Sequence, residues 1–204
     1  MSALRVAAPG ELHPSPDLAV ARAAVVAALP GDASHEANRR QILDFVDAHP
    51  DALHRSCAQG HLTGSALVLD PSTGHVLLLF HAKVQRWLQP GGHADGDANL
   101  AHVALREAEE ESGIEGLRVV TPAVDLDVHV FHNAKVDEPD HLHLDVRHLV
   151  LAPPGSLPRG NHESEHVRWV PAEALPTYDL DAGTHRLAES AQSALELLRR
   201  SGAV

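Results

Sequence analysis

The sequence predicts an α+β fold, on three observations. Helical periodicity runs through the first 60 residues, apolar runs of strand length separated by turn residues fill most of positions 61–170, and a carboxylate-rich helix at 100–114 sits among those strands. The expected organisation is an N-terminal helical extension over 1–60, then one domain over 61–204 that includes a C-terminal helix.

Residues 1–14 carry no periodic signal and are expected to lie along the surface. Ser15-Pro16-Asp17 has the order of an N-cap, an N1 proline and an acidic first turn, and Leu18, Ala21, Val25 and Leu29 follow at helical spacing until Pro30-Gly31. A second helix is expected from Ser34, with Ile42, Phe45 and Val46 on its apolar side and His49-Pro50 at its end, and a short third one over 51–58. Three roles are open to this extension: covering one side of the sheet, joining two copies as a homodimer, or closing over a substrate.

From His61 the period changes. Residues 65–69 and 76–80 flank Asp70-Pro71-Ser72-Thr73-Gly74 and read as a β-hairpin. Val84-Gln85-Arg86-Trp87-Leu88 is a further short strand that delivers the chain to Pro90-Gly91-Gly92. After the embedded helix, 117–120, 124–131 and 142–151 are strand-like, 153–161 is a Pro/Gly-rich loop, 167–170 is the last strand and 171–175 starts a helical turn. The final helix, about 181–200, buries Leu187, Ala191, Ala194, Leu195 and Leu198, with Gly202 past its end.

A net charge of -12 excludes an extended nucleic-acid surface, since phosphate-backbone affinity comes from clustered Lys and Arg. It leaves room for a small anionic ligand held through metal ions. The single cysteine, Cys57, excludes an intramolecular disulfide and reads as a small buried apolar residue. Neither a signal-like opening nor an apolar stretch of about 20 residues is found, so no membrane association and a cytoplasmic location are expected.

The embedded helix has Asn99 as its N-cap and Gly113 as its C′ residue. Glu107, Glu110 and Glu111 share one face, Ala101, Leu105, Ala108 and Ser112 another, and Glu109 points elsewhere. Like charges at i,i+3 and i,i+4 destabilise a helix, so the three require a cation: a Lys or Arg at a solvated face, or a hard divalent metal with its preference for oxygen ligands.

Gly92 followed by Arg106-Glu107-Ala108-Glu109-Glu110-Glu111-Ser112-Gly113-Ile114 resembles the signature of the Nudix hydrolases. The spacing from Gly92 to Arg106 matches as well, and Arg168-Trp169-Val170-Pro171 resembles the family's closing strand, so the likeness covers about 61–178. It implies an α/β/α sandwich around a mixed sheet. It further implies that Glu107, Glu110 and Glu111 ligate Mg²⁺ or Mn²⁺ and that water activated there attacks a phosphorus of a small-molecule diphosphate, a nucleoside diphosphate linked to another group. One position departs from the pattern: the family's first Glu is replaced by Ala98. By resemblance that Glu steadies the loop and pairs with the Arg matching Arg106; here Asp95 or Asp97 could reach back, or Arg106 could pair with Glu110.

For the general base the candidates are Glu107 and, because the resemblance implies an acidic residue in the loop before the last strand, Glu163 and Glu165. Substrate contacts are expected from Gly91, Gly92, His93 and Arg86. On the alternating strand His141-Leu142-His143-Leu144-Asp145-Val146-Arg147, His141, His143, Asp145 and Arg147 share one face. Three readings of that face stand: solvent, a substrate cleft with Arg147 on a phosphate, or a second site for Zn²⁺ or another transition metal. Two other functions are open, a Nudix-fold module that binds or regulates without catalysis, and an isomerase of isoprenoid diphosphates.

Overall fold

The computed structural model describes residues 4–81, 85–132, 139–160 and 164–204, the side chains of 164 and 165 excepted. In chain order the elements are β1 (Arg5–Ala7), α1 (Leu18–Ala27), α2 (Ala33–Ala48), β2 (Gly60–Leu69), β3 (Val76–His81), β4 (Arg86–Leu88) and β5 (Gly91–His93). They continue with α3 (Leu100–Ser112), β6 (Arg118–Thr121), β7 (Asp125–Phe131), β8 (His141–Leu151), β9 (Ser164–Val170) and α4 (Ala182–Ser201). Short 3₁₀ turns occupy Pro9–Glu11 and Ala172–Thr177.

Two long strands make the spine. β2 and β8 pair in parallel from Gly60 beside Leu142 to Leu69 beside Leu151. All other pairs among the described residues are antiparallel: β6 and β7 on β8, β3 and β5 on β2, β1 on β6, and β4 and β9 on β3. The hairpin between β2 and β3 is fixed by Asp70, whose carboxylate accepts from the Ser72 N–H at 2.8 Å and from its hydroxyl at 2.6 Å.

Alternation along β2 assigns the two faces of this mixed sheet. Leu62, Ala66 and Val68 lie in cores built with α3, α1 and α2, while Leu67 and Leu69, with Leu149 and Leu151, pack under Leu187, Ala191, Ala194, Leu195 and Leu198 of α4. The result is the helix–sheet–helix layering expected of the chain, and every residue of the predicted α4 stripe is buried.

The N-terminal part differs from expectation in three places. Residues 5–7 form β1, with Val6 beside Val120, so the segment expected to lie loosely along the surface extends the sheet. Asp17 rather than Ser15 caps α1, accepting from the Ala19 N–H at 3.0 Å; Ser15 is drawn away because its N–H donates to Asp97 and its carbonyl accepts from Ala98. No helix forms over 51–58. Successive i→i+3 bonds, Ala52 to His49, His54 to Asp51 and Cys57 to His54, make a chain of turns instead.

Residues 4–60 share their cores with the rest of the chain: Ala21, Val25, Ile42, Phe45, Val46 and Cys57 are buried with Leu62, Leu100, Leu126 and Leu144. Arg39 on α2 ties α1 in place, donating to the carbonyls of Val25 at 2.5 Å, Ala28 at 3.1 Å and Leu29 at 2.8 Å. The Val25 carbonyl is one that the end of α1 leaves without a helical partner, and those of Ala28 and Leu29 follow directly after it. Among the described residues no helix is long and apolar enough to cross a membrane.

Candidate active site

Helix α3 has the limits its sequence sets: the Asn99 side chain accepts from the His102 N–H, and Gly113 stops it in the left-handed region at φ 64°. That placement brings two of its carboxylates onto the two glycines of β5. Glu111, 6% exposed, accepts the Gly91 N–H at 3.0 Å. Glu107 lies against Gly92 so closely that a Cβ there would stand 2.3 Å from its Cδ. Gly91 is confined on its other side, where a Cβ would meet the Ser65 hydroxyl at 2.3 Å. Both glycines are therefore required by close approach rather than by a turn conformation.

Glu110 completes the face and is the most exposed of the three. Arg106 lies 2.8 Å from Glu107 and 3.8 Å from Glu110, and donates to the His93 carbonyl at 3.4 Å. Glu109 is off this face; burial and the nearby Glu115 push its carboxyl above the usual range.

The departure at Ala98 has a structural counterpart. Ala98 is wholly buried in the core shared with α1 and α2, and its N–H donates to Ser15 at 2.6 Å. Neither aspartate reaches back to Arg106 by an observed bond. Asp95 is held by Arg55 through two bonds of 2.8 and 2.6 Å, and Asp97 accepts from the Ser15 and Asn99 N–H groups and meets His102 at 2.7 Å. Arg106 instead pairs along its own helix.

The histidine strand β8 is buried on both faces along most of its length. Asp145 accepts from Thr63 and Ser65, each at 2.9 Å, and from Arg147 at 2.7 Å. Arg147, 2% exposed, also faces Asp127 at 3.0 Å and Asp125 at 3.5 Å. The expectation that Arg147 grips a substrate phosphate is corrected accordingly. β7 sets aspartates beside it in register, and the N-terminal turn of α4 covers it: a Cβ on Gly183 would lie 3.0 Å from its guanidinium. Arg186 joins the network through Asp125 at 2.9 Å and Asp127 at 2.7 Å. Burial pushes the Asp125 and Asp127 carboxyls upward. For Asp125 the His35 and Arg186 bonds and the Arg147 charge outweigh it, for Asp127 those of His129, Arg147 and Arg186, and both finish below the usual range.

The other end of this polar face is a group of imidazoles. The parallel register puts His61 of β2 beside His143 of β8, and β7 puts His129 beside His143 on the other side. His61 lies with ring centroids 4.8 Å from His93, 4.8 Å from His141 and 5.1 Å from His143. Phe131 stacks on His143 at 4.7 Å. His141 is itself tied to the Pro139 carbonyl at 3.0 Å. His61 is the member that sequence reasoning missed. Its only signal is the polar alternation His61-x-Thr63-x-Ser65, which matches His143-x-Asp145-x-Arg147 once the strands are known to be neighbours.

Arg86 is on β4 and pairs with Asp179 at 3.4 Å. Glu165 falls on β9, where only its backbone is described, and Glu163 lies outside the described residues.

A mixed sheet between helix layers, with a glycine strand laid against the acidic face of one helix, defines a Nudix fold. The family model for the NUDIX domain matches residues 61–191, and the chain belongs to the Nudix hydrolase family. Among solved structures it is similar to the Escherichia coli dihydroneopterin triphosphate pyrophosphohydrolase (14% identity over 63% of this chain and 92% of that one, TM-score 0.51). It is also similar to a Nudix-family hydrolase of Clostridium perfringens (21%, 68% and 97%, 0.45) and to the Nudix domain of Shewanella oneidensis NrtR complexed with ADP ribose (20%, 66% and 87%, 0.49). Among curated proteins none matches.

Proposed function

We propose that the chain hydrolyses the diphosphate linkage of a nucleoside diphosphate joined to another group, with Mg²⁺ or Mn²⁺ held by Glu107, Glu110 and Glu111. The observation that carries this reading is the convergence of Glu107 and the buried Glu111 on the backbone of Gly91-Gly92. The donor set fits such an ion, being all oxygen. When bound, the ion supplies charge neutralisation for the diphosphate and lowers the pKa of water.

The chain's own groups do the rest. A protein of net charge -12 repels a diphosphate, and a divalent cation at Glu107, Glu110 and Glu111 would offset that repulsion locally. Gly91 and Gly92, without side chains, let backbone approach it. Arg106 holds Glu107 in position through the 2.8 Å pair, and Glu107 is one candidate to take the proton from the attacking water, with Glu165 and Glu163 as the alternatives.

A panel of diphosphate substrates assayed with Mg²⁺ or Mn²⁺, beside Glu111→Gln, tests the assignment. The substitution should lower kcat by about 100-fold or more while leaving the fold intact, because the amide oxygen still accepts from Gly91. Unchanged turnover in this variant would remove Glu111 from the site.

A further inference from the structure

We propose that His61, His93 and His143 form a binding site for a first-row transition-metal ion of the Zn²⁺ type, separate from the carboxylate site. The ligand nitrogens of these three residues lie within 4.8 Å of one another. A tetrahedral ion with Zn–N bonds of about 2.0 Å holds its nitrogens about 3.3 Å apart, so swings of the rings about their side-chain bonds of about an ångström bring them onto one centre.

A second observation, independent of the clustering, points to a ligand. Among the described residues, both ring nitrogens of His61, which is 3% exposed, have no hydrogen-bond partner, and neither has Nε2 of His143, which is 9% exposed. Buried polar nitrogens left in this way are costly, and a cation in their midst takes up one nitrogen of each ring.

Position separates this site from the first. Gly92 and Gly64 face α3, so the alternate residues His93, Thr63 and His61 point to the opposite face of the sheet. Imidazoles alone suit Zn²⁺, Co²⁺, Ni²⁺ or Cu²⁺ rather than Mg²⁺. Three protein ligands leave a fourth position for water or an anionic oxygen, as in zinc centres that are not purely structural. The backbone links the two centres directly, since His93 follows the glycine that lies against Glu107.

The test uses the full chain, stripped by chelator and then equilibrated with Zn²⁺, or with Co²⁺ as a coloured probe, in excess Mg²⁺. One tightly held ion per chain is expected, with the visible absorption of four- or five-coordinate Co²⁺ and a Zn X-ray absorption shell of imidazole nitrogen at about 2.0 Å. His61→Ala and His143→Asn should each weaken retention by about 100-fold, while Glu111→Gln should leave it unchanged. Retention equal in His61→Ala and the unaltered chain, retention lost in Glu111→Gln, or no tight ion in the unaltered chain overturns the site. Should a histidine variant not fold, the absorption shell of the unaltered protein decides alone: oxygen in place of imidazole overturns it.

Discussion

At the scale of single residues, the site depends on side chains that are absent as much as on those present. Glu107 occupies the space where any Cβ on Gly92 would sit, 2.3 Å from its Cδ, so Gly92→Ala must displace that carboxylate. The obstacle is the far end of a flexible side chain, which can move aside without breaking the pairing of β5 with β2. The expected outcome is a kcat lower by about 100-fold with little change in melting temperature, since misplacement of a reacting group by about 1 Å costs that much. Equal activity would show that the Glu107 position is not used. Arg147 is the opposite case, a residue whose chemistry suggests catalysis and whose surroundings assign it to stability. It neutralises Asp125, Asp127 and Asp145 at 2% exposure, and Arg147→Met leaves buried carboxylates short of their cation. A loss of about 3–5 kcal/mol is expected in denaturant unfolding at neutral pH. Arg186 offsets part of it through its own pairs with Asp125 and Asp127. The alternation of β8 predicted correctly that Arg147, Asp145 and His143 share a face; it carries no information on what covers that face, which depends on β7 and α4 arriving from distant parts of the chain.

At the scale of elements, those with local signals were legible and those that exist through pairing were not. α3 could be delimited from Asn99 and Gly113 because caps are local, and the α4 stripe from its 3.6-residue period. β1 has three residues and no period; it is a strand only because β6 offers it an edge. The turns over 51–58 replace an expected helix, with Leu62 N–H donating to the Ala52 carbonyl at 2.8 Å, a long-range bond that no propensity encodes. The attachment of α1 to α2 is likewise invisible in either helix alone: beside the shared apolar core and the Arg22–Asp47 pair, it runs through the Arg39 guanidinium and the carbonyls at the end of α1 and just past it. Arg39→Met keeps the aliphatic stem and removes those donors, and should lower unfolding free energy by about 2–3 kcal/mol while leaving kcat unchanged. A value within about 0.5 kcal/mol of the unaltered protein, as for ordinary surface positions, would mean that water replaces the guanidinium at no cost.

For the whole molecule, buried histidines make stability depend on pH in a range where most proteins are indifferent to it. His148 lies at the centre of β8, 2% exposed, with Nδ1 at 3.0 Å from the Val120 carbonyl and Nε2 without a partner among the described residues. Burial lowers its pKa to about 4; burial, then His93 and His141, lower His61 to about 4, and burial, then His93, His129 and His61, lower His143 to about 2. In the unfolded chain all three titrate near 6.5. Between about pH 6.5 and 4 the unfolded state therefore binds more protons than the folded one, and stability must fall as pH falls through that window, reaching its full value only above about 6.5. Each histidine contributes a slope of up to about 1.4 kcal/mol per pH unit. Asp125 and Asp127 act in the same direction at lower pH: their depressed carboxyls stabilise the fold above the ordinary aspartate range near 3.9, and that contribution is lost as pH drops below it. The histidine and aspartate windows thus separate. Denaturant unfolding of chelator-treated protein at steps from pH 8 to 4 should show a plateau above about 6.5 and a decline below it. His148→Gln, which retains a donor for Val120 but cannot be protonated, should reduce the slope by about one proton without moving the plateau's edge. A stability that is level from pH 7 to 5 would mean that these rings accept protons as readily in the fold as in water, and the buried, neutral character assigned to them would be wrong.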